Sequence, residues 1–122
     1  MELKGAIEDG APYVTLRVES IECHALVDTG YDGFVMLSKT EIERRHLRPM
    51  GKTLYRTADG HVHEGMVYKG NVEWFGKIQE MAIDSTDGEF VLIGMKLLSS
   101  IRMVMEASRH VLVLSSEITE TV

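Results

Sequence analysis

Cysteine is almost absent. Cys23 is the single one in 122 residues, so no intrachain disulfide can staple the fold. Proline is as scarce, with two residues, and no Pro- or Ser-rich stretch marks an internal linker. Basic residues number 13 against 19 acidic ones, a formal charge of -6, which argues against a nucleic-acid backbone or an anionic membrane surface as the main partner. No apolar run approaches the roughly 18 residues that span a bilayer. The nearest, 90–105, is interrupted by Gly94, Lys96, Ser99, Ser100 and Arg102. The first residues, Met1-Glu2-Leu3-Lys4-Gly5, lack the basic stretch and apolar core of a secretory signal, so a cytoplasmic location is expected.

What is present is the material of a globular domain, with 44% hydrophobic residues. A chain of this length buries about two-thirds of the surface it exposes when unfolded, enough for a core. Residues 1–115 are expected to form one domain, followed by a polar tail, 116–122. Val14, Leu16 and Val18 alternate with Thr15, Arg17 and Glu19, the period of a half-buried strand. Asp9-Gly10 is a hairpin turn joining that strand to an earlier one at 3–7. A third strand, 21–27, ends in the apolar Ala25-Leu26-Val27. Ser38 followed by Glu41 is a capping box that predicts a helix over 39–46, closed by Arg48-Pro49. Further strands are expected at 34–37, 52–57, 62–68, 71–75, 77–83 and 89–93, with Asp59-Gly60 as the turn of one hairpin. One or two helical turns at 95–100 precede a last hairpin, 102–106 with 111–114. About ten short strands and one or two short helices make a mostly-β barrel or folded sheet.

The informative segment is Ala25-Leu26-Val27-Asp28-Thr29-Gly30. An apolar strand that delivers an aspartate into a Gly-containing turn places a carboxylate where core meets surface, a setting that tunes its pKa. One carboxylate alone hydrolyses little. Two held about 3 Å apart cannot both ionise, so one serves as base on a water while the other serves as acid on a carbonyl.

With the later Val91-Leu92-Ile93-Gly94-Met95-Lys96-Leu97-Leu98 and the hairpin at Ala58-Asp59-Gly60 between them, this segment resembles the retroviral-type (retropepsin-like) aspartic proteases. The small bacterial and archaeal members are the nearest in pattern, and the resemblance covers roughly 21–106. It implies a closed or partly open single-lobe β-barrel and an aspartic endopeptidase with no cofactor and no metal. Only one Asp-Thr-Gly is present and the chain is too short for two lobes, so the resemblance implies a homodimer in which Asp28 meets its own copy across a two-fold axis. It further implies that Thr29 interlocks with the partner's backbone and that Gly30 permits close packing. Tyr31, Asp32, Ala58, Asp59 and Gly60 are then groove and flap residues for an extended peptide or protein, and Ile93 and Gly94 form the strand beside the site. Tyr31 stands where retroviral members carry a small residue. Met95 stands where they carry an arginine that pairs with the aspartate matched by Asp32. These two departures keep a second expectation open, a non-catalytic dimeric module that binds peptides or a partner protein on the same fold.

Other residues invite blander readings. His61 and His63 lie two apart on an expected strand, a spacing that suits a metal, but no accompanying ligand motif is present and solvated flap histidines are the simpler reading. Cys23 shares a face with Ile21 and Ala25 and reads as a small buried residue, not a nucleophile. Asp28, Asp32 and Gly33 lack the ligand spacing and closing glutamate of a calcium loop. No phosphate-binding Gly-rich loop exists. Trp74, Phe75 and the eight methionines read as core or interface packing.

Overall fold

Three two-residue turns with positive φ at both positions fold the chain back on itself in a computed structural model that describes residues 1–116. They are Asp9-Gly10 (φ 50 and 79), Glu19-Ser20 (52 and 63) and Phe75-Gly76 (51 and 76). Turns of this kind match the right-handed twist of the strands they join. The first links β2 (Ala6–Glu8) to β3 (Ala11–Val18), the second links β3 to β4 (Ile21–Val27), and the third links β7 (Val62–Trp74) to β8 (Lys77–Thr86).

With β5 (Val35–Ser38), β6 (Arg48–Arg56) and β9 (Leu92–Ile93), these strands form one sheet in the order β2-β3-β4-β9-β5-β8-β7-β6. β7 also pairs with β3 at Arg17↔Glu73 and Val18↔Val72, so six strands close into a ring and β2 and β6 stand outside it. The alternating inward residues fill the ring. Val14, Leu16, Val18, Ala25, Val35, Leu37, Val72, Ile83 and Ile93 are all buried, each worth about 1.5–3 kcal/mol where the side chain is large. A second sheet, β1-β11-β10, joins both ends of the described chain: β1 (Glu2–Lys4), β10 (Ile101–Glu106) and β11 (Val111–Ser116). The mostly-β, partly closed barrel with two short helices, α1 (Lys39–Arg44) and α2 (Met95–Leu98), is the architecture expected from the sequence. No helix among the described residues is long and apolar enough to cross a membrane.

Several boundaries differ for physical reasons. The expected strand 3–7 is two strands, because the chain passes from one sheet to the other at Gly5. Its N–H donates to the Leu112 carbonyl (2.9 Å), and a Cβ there would lie 2.5 Å from the Tyr13 carbonyl oxygen. The strands expected at 62–68 and 71–75 are one 13-residue strand that runs through Gly70, where the chain packs against Ile83, Leu47 and Val18. Pro49 does not end the α1 segment alone; it lies within β6, an outer strand, beside a register shift. Helix α1 stops at Arg44, two residues short of expectation, and its Ser38 cap accepts from the Glu41 N–H at 3.3 Å. Only Leu92–Ile93 of the strand expected at 89–93 pairs. The final strand extends to Ser116, which the sequence reading placed in the polar tail; the rest of that tail lies outside the described residues. Trp74 and Phe75 pack against the core as expected, ring edge to ring face at 5.0 Å. Met81 is buried, whereas Met95 and Met105 are exposed and fill no gap.

Candidate active site

Strand β4 delivers Asp28 to the rim of the barrel. Val27, inward and buried, pairs in parallel with Ile93, and the next N–H, that of Asp28, donates to the Ile93 carbonyl at 3.0 Å. Ile93 is fully buried between β4 on one side and β5, antiparallel, on the other. The chain then turns tightly. The Gly30 N–H donates to the Asp28 carboxylate (Oδ1, 2.8 Å), and the Tyr31 N–H to the Asp28 carbonyl (3.2 Å). This Asx-type turn fixes the carboxylate relative to the backbone. Asp28 is half-buried, and Thr29 and Gly30 beside it are exposed.

The loop is clamped from below by the segment after β9. The Gly94 N–H donates to Phe34 (3.0 Å), the Met95 N–H to Tyr31 (2.8 Å) and the Lys96 N–H to Gly33 (3.1 Å). Gly94 is buried under Tyr31. A Cβ there would lie 2.4 Å from the ring and 2.6 Å from the carbonyl oxygens of Tyr31 and Gly33, so no larger residue fits without moving the loop backbone. Ile93 and Gly94 therefore stand directly beside Asp28 and its loop.

Tyr31 turns its ring into the site and donates its hydroxyl to the Asp84 carboxylate on β8. Burial, then the Asp84 bond and charge, then the charge of Asp32 push its phenol far above the ordinary tyrosine range. Asp84 escapes a motif search because its partner lies 53 residues away. The only hint is its place after Met81-Ala82-Ile83, where alternation turns it to the face opposite the buried Ile83 and beside Met36. Asp32 is exposed and, among the described residues, forms no ion pair or hydrogen bond; Met95 offers it none.

A cleft of about 590 Å³ separates this loop from the hairpin of β6 and β7. Gly30, Tyr31 and Asp32 line one wall, and Leu54, Tyr55 and Arg56 line the other. Tyr55 stacks on His63 across the hairpin with ring centroids 5.4 Å apart. Ala58, Asp59 and Gly60 form the exposed tip and are not among the residues that line the cleft. At the tip Asp59 accepts from the Thr57 hydroxyl, from the His61 N–H (3.0 Å) and from the His61 ring (2.9 Å). Those bonds, the Thr57 bond foremost, hold its carboxyl down at about 2. His61 and His63 are thus engaged with Asp59 and Thr57. Cys23 is buried, its thiol pushed up to about 11 mainly by desolvation, which makes it inert at neutral pH.

No protein-family model matches the chain. No curated protein matches it by sequence. Solved structures do match. A retropepsin-like aspartic protease from Rickettsia conorii superposes with a TM-score of 0.72 at 23% identity, over 95% of this chain and 91% of that one. EIAV protease complexed with the inhibitor HBY-793 gives 0.65 at 17% identity, over 75% and 88%. Simian foamy virus (mac) protease gives 0.55 at 16%, over 71% and 91%. The mostly-β, partly closed sheet and these superpositions agree, and the chain has the retropepsin-like fold.

Proposed function

We propose that the protein is an aspartic endopeptidase that acts as a homodimer in the cytoplasm, each copy supplying Asp28. The observation that carries this reading is the placement of Asp28. Its backbone is held to Ile93 and its carboxylate to the Gly30 N–H, and it is Gly30, not Asp28 itself, that lines the cleft facing the β-hairpin, in a retropepsin-like fold. Two Asp28 carboxylates about 3 Å apart share one proton. One takes a proton from water as it attacks the peptide carbonyl, and the other gives a proton to the carbonyl oxygen. No covalent intermediate forms. Thr29 of each copy locks into the other's loop, and Gly30 lets the loops approach. The substrate is an extended peptide that lies between the Tyr31–Asp32 wall and the hairpin, bonded by its backbone as an added strand. The hairpin tip, 57–62, closes over it, and Asp32, without a partner among the described residues, accepts a substrate N–H.

Tyr31 favours a second reading on the same fold, a non-catalytic dimeric peptide- or protein-binding module. Its ring stands in the cleft, tied to Asp84, and Met95 gives Asp32 no cationic partner.

Cleavage of a peptide library, read by mass spectrometry from about pH 4 to about pH 8 at tens of micromolar protein, separates the two. The protease reading expects cleavage strongest at mildly acidic pH, where the pair holds one proton, and loss of at least about 1,000-fold in Asp28→Asn. A rate that climbs steadily to alkaline pH contradicts the shared-proton mechanism. Peptide binding without cleavage by either protein establishes the module instead.

A further inference from the structure

The cleft beside the Asp28 loop carries a carboxylate that the protease reading does not use. Met36 and Asp84 are register partners on β5 and β8, and the residues before them, Val35 and Ile83, are buried in the core. Alternation therefore turns Met36 and Asp84 outward, and both line the cleft. Asp84 is half-buried and accepts the Tyr31 hydroxyl at Oδ2. A carboxylate has about four acceptor sites, so Oδ1 stays open to a second donor. Among the described residues Asp84 forms no ion pair and no other side-chain hydrogen bond. Gly33 leaves the space for this pair. A Cβ there would lie 2.7 Å from Asp84 Oδ2 and against the Tyr31 hydroxyl.

We propose that Asp84 makes this cleft selective for an extended peptide that carries lysine or arginine, whose cationic head bonds Asp84 Oδ1. The proposal rests on the protease reading for the cut, and on the cleft itself for the binding. A basic side chain is an apolar stem with a charged tip, and it buries the stem along apolar surface. Met36, Leu54 and Tyr55 supply that surface in the same cleft, whose volume of about 590 Å³ lies in the usual range of ligand sites. A neutral side chain of equal length fills the space and leaves the half-buried carboxylate without its ion pair. An acidic one meets a like charge.

Two cations, Arg56 and Lys96, line the cleft as well. Both are exposed, and the Lys96 ammonium stands over the Phe34 ring, 5.6 Å from its centroid. Asp32 is exposed too. Water and salt screen exposed charges far more than a half-buried one, so Asp84 sets the preference inside the cleft. Tyr31 is its positioning residue. The ring that narrows the groove also delivers the hydroxyl that fixes the carboxylate, and burial together with Asp84 keeps that phenol a donor.

A random octapeptide library tests this with the whole chain as wild type, Asp84→Asn and Asp32→Asn, with products and retained peptides read by mass spectrometry. The wild type is expected to cut peptides with lysine or arginine at one fixed position from the scissile bond. Resynthesised with lysine, glutamine or glutamate there, such a peptide is expected to show kcat/KM at least about tenfold higher with lysine than with glutamine, and lowest with glutamate. Asp84→Asn still accepts from Tyr31 but has lost the charge, so lysine and glutamine are expected to converge to within about threefold, a ratio that a merely weakened fold would not alter. Asp32→Asn is expected to keep the preference. Cleavage by the wild type with no basic preference overturns the proposal and leaves the protease reading standing. So does a preference that survives Asp84→Asn or disappears in Asp32→Asn. If nothing is cut, the protease reading fails, and the library is instead passed over the immobilised chain. Retained peptides enriched in lysine and arginine by the wild type, and not by Asp84→Asn, uphold the selectivity of the cleft. Retention without that enrichment, or no retention, overturns it.

Discussion

Asp59 shows how a single side chain holds together the tip of the β6–β7 hairpin. It accepts from the hydroxyl of Thr57 and from backbone and ring of His61, and each bond is made to the charged carboxylate, so its folded pKa falls from 3.8 to about 2. A group whose folded pKa is depressed contributes stability that is present above its unfolded value and is lost as pH falls through its folded value. The tip therefore keeps its bonds to Asp59 above 3.8 and loosens only between 3.8 and about 2. An NMR titration of the Asp59 carboxyl carbon and the His61 amide is expected to give a midpoint near 2, and Asp59→Asn is expected to flatten the amide titration. A midpoint near 3.8 would mean that the turn's hydrogen bonds do not persist in solution. Tyr31 acts in the same chemical terms at the opposite wall. There burial and the Asp84 carboxylate keep the phenol neutral, so the cleft presents a hydroxyl already committed to a neighbour.

At the scale of elements, the most consequential contact is one that joins a helix to a distant turn. Arg45, whose side chain is fully buried, donates from Nε to the Val18 carbonyl (2.9 Å) and from one guanidinium nitrogen to the carbonyls of Ile21 and Glu22 (3.1 Å each). Its other nitrogen meets the carboxylate of Glu41 at 3.2 Å. With a further bond to the Glu41 carbonyl (3.1 Å), the fork ties α1 to the turn between β3 and β4 and satisfies four carbonyls at once, three of them across that turn. Arg45→Met keeps the stem but strands those acceptors and Glu41, and is expected to cost roughly 3 kcal/mol. Denaturant unfolding would read this as a lower midpoint at unchanged slope. Arg45→Lys is expected to recover little, because an ammonium cannot span the three carbonyls, and full recovery by lysine would reduce the clasp to a simple charge effect. Nothing in the sequence announces the clasp, since the three carbonyls it reaches across the turn lie 27, 24 and 23 residues away. The cap of the same helix was legible because Ser38 and Glu41 are three residues apart. The same division runs through the site. The Asp28 turn closes within two residues and can be read from Asp-Thr-Gly, whereas Asp84 becomes visible only when β5 and β8 pair in register. Strand ends were misread where a glycine served close packing and not a turn, as at Gly70.

For the molecule as a whole, the decisive fact is that each chain carries one Asp-Thr-Gly loop on a barrel already closed by the β3–β7 pairing. A ring whose core is complete has no room to generate a second carboxylate from within, so the proposed dyad belongs to an assembly of two. That makes activity a property of composition as well as concentration. Dilution below the dimer's dissociation constant is expected to lower activity per chain, as mass action requires. A sharper consequence follows from mixing wild type with Asp28→Asn, a near-isosteric change that leaves the strand and loop contacts in place. If both carboxylates are required and the chains exchange freely, only pairs of two wild-type chains are active. An equal mixture at fixed total protein, held well above the dissociation constant, should then show about one quarter of the wild-type rate, following the square of the wild-type fraction. A rate of one half, linear in that fraction, would mean that one Asp28 suffices and that the two-chain mechanism is wrong. The quadratic result would place the chemistry at the two-fold axis, where the single Asp28 of each barrel is completed by its copy.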